Sequence, residues 1–223
     1  MIFSKLALYF EKLESTSSRL ALIDILSDLF KKSGNLEIEK IIYLTQGRIA
    51  PFFEATEIGM AEKQVAGAIA ASLNIKREEV LKLYTKLGDM GKAVEQLSNK
   101  KQVTNNKKVT VKEVFEILIK IAKTSGEGTV EKRQTLLSDL LKQMDSLSSK
   151  FLVRIPLGNL RLGIGDPTIL DGLALAKLGD KSKRKLLEGA YNRTSDLGLI
   201  AKILWSEGLS AVEKLKVMVG KPI

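Results

Sequence analysis

Cysteine and histidine are both missing from this 223-residue chain. Without them there are no disulfides, no thiol nucleophiles, no zinc-finger sites and no catalytic group that relies on an imidazole. A cytosolic compartment fits the lack of cysteine. Carboxylates alone can hold a metal, but the acidic residues are scattered and no calcium-loop pattern occurs. Prolines number four and aromatics make up 5% of the chain, and the aromatics fall mostly at core spacing. Lone Trp205, after Ile203 and Leu204, is expected in the core. Few exposed aromatics favour duplex binding over base stacking on single strands. No apolar run approaches the roughly 18 residues of a membrane span, and no membrane partner is expected. The opening MIFSKLALYFEKLE interleaves charge and apolar residues at helical spacing and has no small-residue cleavage site. It reads as a helix, not a signal peptide.

Acid is the other shortage. Lys and Arg total 36 against 26 Asp and Glu, a net charge of +10. Residues 1–98 are balanced, with 13 of each sign, while residues 99–111 hold four lysines and no acid. Residues 112–223 hold 19 basic and 13 acidic side chains, so the surplus lies in the middle and the second half. Such a field attracts polyanions over about a Debye length, nucleic acid first and an anionic membrane second. A lysine-rich solubilising surface is the bland alternative.

Apolar residues recur at three- and four-residue spacing almost throughout, as in Leu22, Ile25, Leu26, Leu29 and in Val114, Ile117, Leu118, Ile121. The pattern predicts an all-α chain of about ten to twelve helices. It also repeats itself. LSDLFKK (26–32) matches LSDLLKQ (137–143) at an offset of 111, and Gly47 aligns with Gly158 at the same offset. EIGMAEKQVAGAIAASL (from 57) matches RLGIGDPTILDGLALAKL (from 161) at 104, and YTKLGDMGKAVEQL (84–97) matches YNRTSDLGLIAKIL (191–204) at 107. We therefore expect two pseudo-symmetric repeats, 1–98 and 112–209, forming one compact domain. A basic exposed loop at 99–111 joins them, and a linker follows at 210–223.

Several predicted helix starts carry glycine or hydroxyl residues. Gly59 precedes a helix that bears Lys63, and Gly163 and Gly165 precede Asp166-Pro167, read as an acidic N-cap followed by proline at the first helical position. Ser17 and Ser18 stand before Arg19, while Gly126, Gly128 and Thr129 lead into a helix with Lys132 and Arg133. The free N–H groups of such starts and the helix dipole suit phosphate. Taken singly, each turn is more simply what ends one helix and begins the next.

The segments ESTSSRL, TEIGMAEKQVAGAI, KLGDMGKAVE, KTSGEGTVEKR and PLGNLRLGIGDPTILDGLALA closely resemble the N-terminal DNA-binding domain of archaeal and eukaryotic replicative ATP-dependent DNA ligases. The resemblance runs in order from about residue 3 to 209. It implies an all-helical module that sits in the minor groove on both sides of a nick, in a parent enzyme of replication, repair and recombination. ATP and Mg2+ would serve that parent, and its partners would be duplex or nicked DNA and the ligase's own catalytic domains. Carried over by motif, Gly158, Asn159, Leu160, Arg161 and Gly163 would form a groove- and phosphate-contacting loop, with Gly165 beside it. Ser17, Ser18 and Arg19 match a Ser-x-Arg-Leu-like contact, and Gly126 to Thr129 with Lys132 and Arg133 match a Gly-Ser helix start. Relatives often carry a basic residue where this chain has Asn159, which leaves Arg161 as the residue to test.

The adenylated lysine of that family lies in Lys-x-Asp-Gly, which is absent, since Ile169-Leu170-Asp171-Gly172 has no lysine in place. A Gly-x-x-x-x-Gly-Lys phosphate loop is absent too, because Gly220-Lys221 has Leu215 at the first glycine position. The chain is thus expected to be a ligase fragment, ending near the family's interdomain linker, that binds DNA without sealing it, in the cytoplasm at the nucleoid, or in a nucleus if the source is eukaryotic. Some archaeal relatives bind a sliding clamp through a glutamine and an aromatic pair in the central loop. Gln102 is present but Val103 to Asn106 hold no aromatic, so a clamp is only a candidate partner. A helical protein-interaction scaffold and a stand-alone helical nuclease or phosphotransferase are the competing classes.

Overall fold

The computed structural model describes residues 1–101 and 108–217, and the helical periodicity is realised in thirteen α-helices among them. They are α1 (Phe3–Glu14), α2 (Arg19–Lys31), α3 (Ile38–Thr45), α4 (Glu62–Leu73), α5 (Arg77–Leu87), α6 (Met90–Lys100), α7 (Val111–Lys123), α8 (Thr129–Leu141), α9 (Ser146–Arg154), α10 (Asp166–Leu178), α11 (Arg184–Thr194), α12 (Leu197–Ser206) and α13 (Leu209–Glu213). The count exceeds the expected ten to twelve through the five-residue α13. Extended pairing among the described residues is confined to a single bridge between Ile2 and Thr110. Gln102, Val103 to Asn106 and Lys107, on which the clamp expectation falls, lie outside the described residues, as do Gly220 and Lys221.

Local chemistry sets the helix ends. Thr110 caps α7 in a reciprocal box: its hydroxyl accepts from the Glu113 N–H at 3.2 Å, and the Glu113 carboxylate accepts from the Thr110 N–H at 2.7 Å. Asp89, Asp145 and Asp196 cap α6, α9 and α12 from one side only, each carboxylate accepting from the N–H three residues on. At α10 the expectation needs correcting. Gly165 is the N-cap, Asp166 the first helical residue and Pro167 the second. The Asp166 carboxylate is drawn off the helix end by Gln46 Nε2 at 2.9 Å and the Tyr191 hydroxyl at 2.5 Å.

Packing divides the chain into two compact units, each drawing on sequence from either side of the 99–111 segment. Unit 1 comprises Met1, Tyr9–Ala55 and Arg161–Ile223. In it α2 lies against α10 and α3 against α12. Leu26, Leu29, Phe30, Ile41, Leu173, Ile200 and Leu204 are buried in this unit, and Trp205 is buried as expected. A Cβ at Gly172 would stand 2.9 Å from the Leu26 Cβ, so α10 approaches α2 where it has no side chain. Unit 2 comprises Ile2–Leu8 and Thr56–Leu160, with α4 against α8 and α6 against α9. Its core includes Val65, Ile69, Val94, Leu118, Leu137 and Phe151.

Candidate nucleic-acid interface

The loop from Pro156 to Asp166 begins where α9 stops. The Gly158 N–H bonds the Ile155 carbonyl at 2.9 Å and the Asn159 N–H bonds the Arg154 carbonyl at 3.0 Å, closing a tight turn. Gly158 sits at φ +64°, a left-handed conformation that lacks a steric penalty only for glycine. Leu160 and Leu162 are both buried, and Arg161 between them is exposed. Arg161 is itself left-handed, at φ +59°. A residue with a Cβ pays about 1–2 kcal/mol for that conformation, so the surrounding fold imposes it. The chain passes from unit 2 to unit 1 between Leu160 and Arg161. Gly163 and Gly165 are exposed further along.

Behind the turn stands a residue that sequence reasoning missed. Arg154 is only 2% exposed, and its guanidinium grips Asp89, 3% exposed, through Nε at 3.1 Å and Nη2 at 2.7 Å. Its Nη1 points to the Leu160 carbonyl at 3.5 Å, the last peptide before Arg161. A two-toothed guanidinium–carboxylate pair is strong and directional, and here it fixes the base of the loop. The available signal was a lone arginine in the apolar run FLVRIP, which also fits an ordinary surface arginine.

Elsewhere in unit 2, the residues singled out at the α8 start lie together in one turn, and both of its cations bond backbone carbonyls. The Thr129 hydroxyl donates to the Gly126 carbonyl, and Gly128 is the N-cap. Lys132 Nζ donates to the Glu127 carbonyl at 2.9 Å. Arg133 donates to the carbonyls of Thr124 at 3.0 Å, Ala122 at 3.4 Å and Gly59 at 3.4 Å. Arg133 thus joins the Gly59 loop to the end of α7. Lys63 is exposed on the first turn of α4, one residue after Glu62.

In unit 1, Ser17 and Ser18 are exposed, and Ser18 is the N-cap of α2, its hydroxyl accepting from the Ala21 N–H at 3.5 Å. Arg19 opens the helix with a side chain 62% exposed, while its Nη2 bonds Asp171 at 3.0 Å. Asp171 also lies 3.8 Å from Arg184, so one carboxylate orients two guanidinium groups. That role for Asp171 was hidden in the sequence, where it sits in the ILDG stretch. No group of three or more His, Cys, Asp or Glu side chains is placed to hold a metal among the described residues, and no helix there is long and apolar enough to cross a membrane.

Unit 1 also holds a polar cavity of about 240 Å³, lined among others by Tyr43, Gln46, Arg48, Asp166, Tyr191 and Asp196. Burial, then the neighbouring Asp196 charge, holds the Tyr43 hydroxyl well above the usual phenol range. Burial and a hydrogen bond to Asp166 raise Tyr191 likewise. Both phenols are therefore neutral donors to carboxylates near neutral pH. Both helix starts carry an acid in the first turn, Asp166 in α10 and Glu131 in α8, which makes each a poorer anion site.

The family described as "DNA ligase N terminus" matches residues 2–174. A "Probable DNA ligase" of Dictyoglomus turgidum is 46% identical over 223 residues, covering 100% of this chain and 38% of the relative. A "DNA ligase" of Nitrosopumilus maritimus is 44% identical over 225 residues, with 100% and 38% covered. A "DNA ligase" of Saccharolobus solfataricus is 42% identical over 233 residues, with 100% and 39% covered. The chain spans less than two fifths of the length of these relatives. Matched along most of its residues by the family pattern and end to end by such relatives, the chain belongs to the DNA ligase N-terminus family.

Proposed function

We propose that this chain is the DNA-gripping part of an ATP-dependent DNA ligase, holding duplex or nicked DNA through phosphate and minor-groove contacts without reading its sequence. The observation that carries the reading is Arg161, an exposed residue in a left-handed backbone with a buried leucine on either side in sequence. Strain imposed on an exposed cation is what a preformed anion contact requires. The net charge of +10 and the exposed basic groups Arg19 and Lys63 support the same reading.

Nucleotide chemistry is not assigned to this chain in this reading, in keeping with the lack of a Lys-x-Asp-Gly or Gly-x-x-x-x-Gly-Lys motif in its sequence. ATP and Mg2+ act, in this reading, in the catalytic domains of the same ligase, which are its partners along with the DNA.

Gel shifts on two unrelated duplexes, each intact and nicked, test the proposal. Similar affinity for both sequences is expected. Arg161→Ala should weaken each by about 1 kcal/mol, roughly fivefold, for one charge-assisted contact. Binding to neither duplex would overturn the proposal, and marked preference for one sequence would overturn its sequence-independent part.

A further inference from the structure

We propose that Arg48, presented by a turn in unit 1, is a second residue that contacts a DNA phosphate. The proposal rests on the DNA-gripping reading above. After α3 the chain turns as it does after α9. The Gly47 N–H bonds the Leu44 carbonyl at 3.0 Å and the Arg48 N–H bonds the Tyr43 carbonyl at 2.8 Å. These are the same two bonds, one reaching back three residues and the next five, that close the Gly158–Asn159 turn at 2.9 and 3.0 Å. Gly47 is left-handed at φ +71°, as Gly158 is at +64°. The residue that follows the glycine is exposed in both turns: Asn159 in unit 2 and Arg48 in unit 1. The turn in unit 1 thus carries a cation at the point where the turn in unit 2 carries Asn159.

The side-chain surroundings of Arg48 differ from those of six other arginines. Arg19, Arg77, Arg154 and Arg184 have carboxylate partners, and Arg133 and Arg193 bond backbone carbonyls. No carboxylate lies within ion-pair distance of Arg48 among the described residues. Its guanidinium stands 5.9 Å from the ring centroid of Phe52. Phe52 is 53% exposed, an unusual place for a phenylalanine with no core to fill. An aromatic face beneath a guanidinium restricts it and leaves its edge N–H groups for a planar oxyanion. Asp166 and Asp196 share the adjoining cavity, but their oxygens accept from the neutral groups Gln46, Tyr191 and Tyr43. Such a cation contacts the backbone and carries no base information.

The test is the salt dependence of duplex binding, read by fluorescence anisotropy on a nicked duplex with the whole chain and with its Arg48→Gln, Arg48→Lys and Arg161→Ala variants. Each lost phosphate contact removes one released counterion, so Arg48→Gln should flatten the slope of log K against log salt by about 0.9. Arg48→Lys keeps the charge and should keep the slope. If Arg161→Ala flattens the slope while Arg48→Gln leaves it unchanged, Arg48 is not a phosphate contact and only this inference falls. If the Lys variant loses the slope as well, the effect comes from the turn and the phosphate assignment is overturned. If the unmodified chain shows no salt-dependent binding at all, the DNA-gripping reading itself fails.

Discussion

In unit 2 the carboxylate that caps α6 faces a guanidinium; in unit 1 the carboxylate that caps α12 faces a phenol. The two arrangements otherwise share their parts. Asp89 accepts from the Lys92 N–H at 3.1 Å and from Arg154, and Asp196 accepts from the Leu199 N–H at 2.9 Å and from the Tyr43 hydroxyl at 2.8 Å. Two residues after each aspartate a glycine leaves room for the incoming side chain. A Cβ at Gly91 would lie 2.6 Å from Arg154 Nε, and one at Gly198 would lie 2.3 Å from Tyr43 Cζ. The geometric requirement is therefore an aspartate cap, a glycine two positions on, and a long polar side chain from the facing helix. The charge of that side chain is free to differ, and its consequences differ. Arg154 balances Asp89 and has a third N–H to spare for the Leu160 carbonyl, so it also holds the loop before Arg161. A phenol has one donor, which leaves the Gly47 turn to its own backbone bonds.

The largest expected break comes from Arg154→Met. It strands the Asp89 charge in the core and should destabilise the protein by about 3–5 kcal/mol in chemical denaturation. A loss below about 1 kcal/mol would show that the pair does not anchor unit 2. Next, Gly91→Ala should destabilise more than Gly198→Ala, within the 1–3 kcal/mol or so typical of overpacking. The alanine methyl at 91 also meets the Lys150 backbone oxygen at 2.7 Å, which cannot swing aside. At 198 the obstacle is the Tyr43 ring, which borders the cavity and has space to yield. Equal costs would mean that the cavity does not relieve the clash.

Tyr43→Phe removes a single hydrogen bond to a charged acceptor, worth about 1.5–3 kcal/mol, and it carries a pH signature. Burial first, then the Asp196 charge, raises the Tyr43 pKa above its ordinary 10.0. The stability this neutral phenol contributes is thus complete below pH 10 and lost as the pH rises toward the folded-state value. The advantage of the unmodified protein over Tyr43→Phe should shrink above pH 10. No such alkaline loss arises from Arg154, whose guanidinium stays charged there. A pH-independent difference would place the hydroxyl in water, not on Asp196.

Much of this was legible in the residues and some was not, for reasons the two units make clear. Periodicity and caps are local, so the helices and the Thr110 start follow from the letters. DMG at 89–91 and DLG at 196–198 were visible as matching text. Their function was not, because it depends on which helix lies opposite, α9 or α3. Lys132 and Arg133 read as basic residues at a helix start, but Lys132 turns back to the Glu127 carbonyl of its own turn, and the carbonyls Arg133 binds come from the end of α7 and the Gly59 loop. Arg48 follows Gly47, which aligns with Gly158 in the sequence, but the letters do not show that the two turns close with the same hydrogen bonds. Asp166 failed as a cap because two side chains distant in sequence, Gln46 and Tyr191, compete for it.

The most direct measurement is the slope of log K against log salt for the unmodified chain on a nicked duplex between 50 and 200 mM salt. A grip through three or more phosphates predicts a slope of about −2.7 or steeper, at about 0.9 per contact. A slope near zero, or no binding to duplex at the low-salt end, would contradict the account.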